Sequence, residues 1–411
     1  TQQEIGGYLL AKKLSNDNDD ITILVNSQLF IDKIVGADTS KHHQLRLDIL
    51  KFIIALRPEI IELLNDVDSL KLSWWYLFNG NNFETNKEIT PNLRKSLYDD
   101  NIFDNLLEVS SNNWFNSDVK LNFNYISEIL NEYNLWDFDL KWTYFIYRKA
   151  DELDSFIDES ISELDNQSSI ILEKEIIIAK FISRILSTTV RELRDKATLY
   201  IINFGKLYPL ELLELTIEAS QYKDIYIYER LTSCCYGVLL IRQNDKDYLE
   251  YFLPRIADEL FKLQFSENPT ASKYNYIVID SIKHIIDFAI LNDLISLSKK
   301  QKLKISNYEF IPPNDWIPPS EEQINLINGS HETSWPDPIG MDFGIYTIPR
   351  LIKRDDVDYN RRFAIANVYK RIFELGYENL DLSNFNNELF KEFIWGYDIY
   401  GIKGKVDKLE K

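Results

Sequence analysis

The sequence predicts an all-α fold, a HEAT/TPR-like helical-hairpin solenoid with an extended Pro-rich segment near the C-terminus. Three observations predict it. Apolar residues recur at helical spacing from about 40 to 304. Gly and Pro number only 13 and 12 in 411 residues, too few for the tight turns of barrels, propellers or doubly wound sheets. Two stretches, 190–204 (VRELRDKATLYIINF) and 224–238 (DIYIYERLTSCCYGV), share a polar run ending near an arginine, then small residues, then apolar ones. Their arginines, Arg194 and Arg230, lie 36 residues apart, near the period of a helix-pair repeat. The expected organisation is an N-terminal helical region (1–166), HEAT-like repeats (167–304) and a Pro-rich extended segment with C-terminal helices (305–411).

Residues 1–40 admit two readings, since Ile21 to Val25 suits a strand while Leu29, Phe30, Ile31 and Ile34 suit a short helix. Leu45, Ile49, Phe52, Ile53 and Leu56 then mark a helix. Pro58 breaks it and is placed to open a second one, to about Leu64. Residues 70–140 are rich in Asn, Asp and aromatics, with Trp74, Trp75, Trp114, Trp136 and Trp142 in or near them. They pack between short helices, or they form an aromatic ligand-binding patch. The broad apolar face of 169–187 predicts an inner helix packed on two sides. Val190 to Phe204 make the next helix, with Gly205 as a stop signal, and Pro209 opens another. Helices follow at 224–242, 245–263 and 275–290.

Seven of the twelve prolines fall between Pro312 and Pro349, interleaved with Phe310, Trp316, Ile317 and Trp335. That pattern predicts an ordered extended segment lying along another surface. Helix is expected again at 359–376 and 385–396.

The 65 acids outnumber the 46 bases, for a formal net charge of −19. Phosphate contact needs a basic face, so nucleic acid is not the expected partner. No apolar run approaches the roughly 20 residues needed to cross a bilayer. Cys234 and Cys235 are adjacent and match no zinc spacing, which points to a reducing, cytoplasmic compartment. The chain opens on Thr1, its one methionine is Met341, and it ends in a charged run at Lys411. It is expected to be a portion of something larger.

No P-loop, dinucleotide fingerprint, nucleophile elbow or HExxH motif occurs. The expectation is no catalysis, no cofactor and no metal in this chain alone. His42 and His43 are adjacent and so point about 100° apart on a helix, poor geometry for a metal pair. His284, inside an apolar helix, reads as a core or groove-lining residue. The cysteines read as small buried residues at a helix contact. Asp355, Asp356 and Asp358 read as a helix N-terminal charge cluster ahead of Tyr359. Arg191, Arg194, Lys196, Arg230 and Arg242 are expected to pair with acids on neighbouring helices, Asp195, Asp224 and Glu229 among them. Because Tyr and Arg are frequent interface anchors, Tyr222, Tyr226, Tyr228 and Arg242 are singled out as exposed protein-binding residues.

Residues 191–240, RELRDKATLYIINFGKLYPLELLELTIEASQYKDIYIYERLTSCCYGVLL, resemble the C-terminal part of bacterial antiviral STAND NTPases of the AVAST group. The carriers are Arg194 to Thr198, Pro209, and Asp224, Tyr226, Glu229, Arg230, Tyr236 and Gly237. A later stretch, GMDFGIYTI at 340–348, and the following RRFAIANVYKRIFELGYENLDLSNFN are similar to further segments of those proteins. They depart at Ile345, where the group has Arg, and at Tyr377, where it has Trp. The resemblance implies an N-terminal effector, a central NTPase and a C-terminal helical-repeat sensor. It implies that the sensor binds a phage protein, such as a terminase or portal subunit, and that binding drives oligomerisation and effector activation. Two other readings compete: a generic helical-repeat scaffold for a cellular partner, and an α/α-toroid hydrolase, which would need a cleft of Trp residues and paired acids.

Overall fold

The computed structural model describes residues 2–79, 91–97, 99–118, 122–165, 173–266 and 275–306, with a few isolated positions beyond. Among these residues the fold is all-α, with no strand. The expected Pro-rich segment and the helices expected at 359–376 and 385–396 lie outside the described residues, apart from those isolated positions.

The ambiguous N-terminal run resolves as helix. After α1 (Gln2–Asn16) comes α2 (Ile21–Asn26), and Asp20 caps it by accepting the Thr22 N–H at 2.8 Å. Ser27 then caps α3 (Gln28–Phe30) by accepting the Phe30 N–H. These side-chain acceptors satisfy the orphan donors of each first turn, so capping overrides the β-branched content of Ile21 to Val25. A π-helical turn (Ile31–Val35) and a 3-10 turn (Thr39–Lys41) lead to α4 (Arg46–Leu56). Pro58 does open a second element, but it is a 3-10 helix, Pro58–Leu63.

The chain then returns so that α5 (Val67–Asn79) runs beside α4 in the same direction. Arg46 pairs with Asp66 at 3.0 Å and with Asp68 at 2.5 Å near the start of both helices. Lys51 lies over the Trp75 ring at 4.5 Å farther along. On its other side α4 meets α1, with Tyr8 edge-on to Phe52 at 5.5 Å.

Short elements follow: α6 (Pro91–Ser96), α7 (Asp100–Ser110), a 3-10 turn (Ser111–Asn113), α8 (Phe123–Glu132), α9 (Leu135–Phe138), a π-helical turn (Asp139–Thr143) and α10 (Tyr144–Arg148). Trp114, Phe123, Trp142, Phe145 and Phe181 pack ring against ring at 5.0–6.5 Å and fill the space between these helices and the next group. Trp74, Trp114 and Trp142 are all buried, so most of the aromatic content of this region is core.

The remaining helices form two layers. In one, α11 (Ala150–Asp165), α13 (Arg191–Leu207), α15 (Ile225–Arg242) and α17 (Tyr276–Leu291) lie side by side and point the same way. Lys196 reaches Asp154 and Asp158, Arg230 reaches Asp195, Arg242 donates to the Lys206 carbonyl, and Asn275 donates to Glu229. The α13–α15 ties join residues 35 and 36 apart. In the other layer α12 (Glu173–Ile185), α14 (Pro209–Ala219) and α16 (Leu253–Phe265) return in the opposite direction. Lys180–Glu218 at 2.8 Å and Arg255–Glu214 at 3.2 Å tie them together. A final helix, α18 (Lys299–Ser306), packs on α16.

Three local expectations change. Gly205 lies inside α13, not at its stop. A Cβ there would press on Leu212 and approach Val238 Cγ2 at 3.0 Å, so the glycine admits α14 and α15. The helix expected at 245–263 begins as a π-helical turn, Tyr248–Phe252, and becomes α16 with Pro254 in its first turn, where no N–H is needed. His284 is not a core residue: its side chain is 52% exposed, stacked on Tyr236 at 5.4 Å.

Gly7 offers a test of the α1–α4 contact. A Cβ there would collide with the Cβ of Asp48 and lie 3.2 Å from its carbonyl carbon, atoms fixed to the backbone. Gly7→Ala should destabilise by about 1–3 kcal/mol despite alanine's better helix propensity. Gly6→Ala, which meets only the Leu45 Cδ1 methyl at 3.0 Å, should be tolerated. Urea unfolding with hydrogen exchange of the α1 amides reads both.

Candidate functional site

A recess of about 420 Å³ opens where α7, α10, α11 and α12 meet. Its walls are the rings of Trp114, Phe115, Phe145, Phe156 and Phe181, with Leu107 and Leu153 beside them. Phe115 and Phe156 stack at 5.1 Å and remain half-buried, so their faces are the accessible part of the wall. The Trp114 indole N–H donates to Ser110 Oγ at 2.6 Å, and this wall therefore offers no free donor from Trp114. Polar groups stand at the rim: Glu108, Ser111, Lys149 and Glu152. Lys149 pairs with Glu152 at 2.9 Å. A lined apolar hollow with a few rim charges is the shape that accepts an apolar group. Of the two sequence readings of this stretch, core packing or an aromatic patch, Trp114 serves both, but the sequence does not point to the other walls of the recess. Its walls come from residues 107 to 181, on elements far apart in the chain.

The four residues singled out for protein binding do not form one site. Tyr222 and Tyr228 are buried, at 8% and 1% exposure, so neither is the exposed contact expected of it. Tyr228 sits on the inner face of α15, and the Tyr222 ring lies over the Arg184 guanidinium at 3.4 Å. Tyr226 is half-buried between Arg194 and Arg230, at 5.8 and 5.7 Å. Arg242 is largely consumed by structure. It pairs with Asp245, donates to the Lys206 carbonyl at 2.8 Å and lies over the Tyr248 ring. Tyr226 and Arg242 also stand at opposite ends of α15, about 24 Å apart at 1.5 Å per residue.

Among the other groups considered, His42 Nε2 meets the Gly36 carbonyl at 2.7 Å and His43 accepts the Leu45 N–H, both local loop contacts. No group of three His, Cys, Asp or Glu among the described residues is arranged to hold a metal ion. Both cysteines are buried, and burial pushes the Cys235 thiol up to about 11, which suppresses its thiolate. No helix among the described residues is long and apolar enough to cross a membrane. His331 and the Asp355–Asp358 cluster lie outside the described residues.

The least expected feature is Arg184, only 1% exposed on α12. It donates to the Ser127 carbonyl and Oγ at 3.3 and 2.8 Å and to Asn131 Oδ1 at 2.5 Å. Tyr222, which covers it, donates to Glu218 at 2.9 Å. Burial lowers the pKa of Arg184, and Glu218 and Asp224 oppose that shift. Asp224, half-buried, caps α15 by accepting the Tyr226 N–H at 2.9 Å. Burial pushes its carboxyl up to about 6. The Tyr226 N–H and Arg184 pull it down, while Asp139 and Glu229 push it further up.

Two measurements follow from this cluster. Asp224 has a raised pKa in the native state, so between about pH 4 and 6 the folded protein holds more protons than the unfolded chain. Its contribution therefore makes stability fall as pH rises through that window. Asn caps as well as Asp. Asp224→Asn should flatten this part of the pH–stability curve and gain about 1–3 kcal/mol at pH 7. Arg184→Ala should lose about 3 kcal/mol or more, because it opens a cavity and strands Ser127 and Asn131. Arg184→Met should lose less. Urea titrations across pH measure each.

No protein-family model matches the chain, and searches of curated proteins and of solved structures give no match either.

Proposed function

We propose that the two layers from α11 to α17 are a HEAT/TPR-like helical-hairpin array serving as the recognition module of a bacterial anti-phage STAND NTPase. In this reading the array binds a phage protein, such as a terminase or portal subunit, in the cytoplasm. Binding then triggers oligomerisation and effector activation in the full-length protein. The catalytic work belongs to other parts of that protein, and this chain neither hydrolyses ATP nor cuts DNA.

One observation carries the reading: the outer faces of the two layers differ. Among the described residues α12, α14 and α16 carry no exposed large apolar side chain, and Lys180–Glu218, Arg255–Glu214 and Lys262 with Asp258 and Glu259 are ion-paired there. The α13–α15–α17 face instead leaves Leu199, Leu240 and Ile277 about half exposed, at 50%, 46% and 50%. It also carries Gly237, beside which the nearest wall is Ile202 at 3.6 Å. A glycine inside a helix costs about 1 kcal/mol, and nothing packed against this one requires it. Such a face suits a large partner, as stacked helical repeats do.

The test uses the purified chain against purified phage terminase and portal proteins by pull-down and calorimetry. Saturable binding of one of them is expected, weakened by Leu199→Asp or Leu240→Asp. Binding of neither, with tight binding of a host protein, would replace the sensor by the scaffold reading. ATP turnover by the pure chain, abolished by changing one of its acids, would remove the non-catalytic assignment.

A further inference from the structure

The helix that walls the Trp114 recess, α11, carries seven acids and no Lys or Arg. Its partners neutralise only part of that charge. Lys196 takes Asp154 and Asp158, at 2.7 and 2.6 Å, and Lys149 takes Glu152 at the rim. Asp151, Glu159 and Glu163 face water, and Glu108 stands exposed across the recess on α7. The chain thus sets an apolar hollow inside an acidic surround, in a protein of net charge −19.

We infer that this recess takes one apolar anchor side chain, Trp, Phe or Leu, from a basic segment of a partner protein. Three physical reasons select that occupant. The walls are ring faces and leucine side chains, and the Trp114 N–H is spent on Ser110, so a polar group pushed inside would lose water with little in return. A volume of about 420 Å³ holds an indole or a phenyl ring with room to spare. The acids run along α11 well beyond the hollow, Glu163 lying about 16 Å from Glu152 at 1.5 Å per residue. A small molecule seated in the recess would leave them unused, whereas a peptide with flanking Lys or Arg meets them along its length. Exposed charges also accelerate encounter with a basic segment, an effect that salt screens.

The inference rests on the protein-binding reading above but not on a viral source for the partner. The probe is a short fluorescein-labelled peptide with one central Trp flanked by lysines, titrated into the whole chain by fluorescence anisotropy. Saturable binding that weakens with salt is expected. The methyl resonances of Leu107 and Leu153 should shift under the ring current of the probe's indole. Ser111→Trp, at an exposed rim position, fills the mouth and should weaken binding at least about tenfold. Glu108→Lys should weaken it several-fold, and circular dichroism confirms that both variants fold.

Equal binding of a peptide whose Trp is replaced by Ala would show a polyanion that attracts any polycation, and the site is then discarded. So would binding indifferent to Ser111→Trp, or methyl shifts absent at both leucines. If a phage protein binds the chain but the probe neither binds nor competes, this inference fails and the sensor reading stands. If the probe binds in the recess while no phage protein binds, the sensor reading fails and the site stands.

Discussion

A buried cation, Arg184, links the N-terminal helices to the layered ones. Arg184 projects from α12 into a space closed by α8, by the Tyr222 ring and by the start of α15. Its own carbonyl accepts the Trp142 indole N–H at 3.1 Å, so one residue of α12 is held by elements on both sides. Phe181 stands on the same helix, one turn earlier, and is the ring against which Trp114, Phe115, Phe123, Trp142 and Phe156 all pack. The helix that Arg184 anchors thus also supplies a wall of the recess, Phe181. The layered helices on the other side inherit the same reference, since α12 leads directly into α13.

The legibility of the fold followed the range of the interactions that make it. Helices α4, α13, α14, α15 and α17 were readable because each has an apolar stripe at helical spacing and a stop or start residue such as Pro58 or Pro209. The α13–α15 offset was readable too, since Arg194 and Arg230 mark it and the ties Asp195–Arg230 and Lys206–Arg242 repeat it. What failed was the assignment of faces. Tyr226 and Tyr228 are two residues apart on a helix and so point about 200° apart. At most one of them faces solvent, and that signal was present in the sequence. His284 shows the opposite case: of its two readings, core or groove-lining, the core one fails, because it lies on the outer arc beside Asp280 and against Tyr236. Gly205 looked like a stop because a chain read alone shows no neighbour, whereas Leu212 and Val238 are what require it. Arg184 and the recess were invisible, because their partners come from positions tens of residues away with no period to link them.

The polar character of the Arg184 joint fits specificity better than stability. Taking a guanidinium out of water is expensive, and well-packed apolar residues of similar volume often hold such a position as firmly. Arg184 recovers part of that cost through three directed hydrogen bonds and the face of Tyr222, while its Nε finds no partner among the described residues. Apolar packing between α8 and α12 would allow several rotations of one helix on the other at similar energy. A single guanidinium nitrogen, Nη2, that must reach both Ser127 and Asn131, on successive turns of α8, allows far fewer. At the observed rotation Phe181, one turn before Arg184, packs against Trp114 and walls the recess. A buried polar joint that gains little over apolar packing but fixes geometry would add nothing to a protein whose only task was to stay folded. Under the docking inference, the same joint would hold the apolar hollow and the acidic helix in a fixed relation.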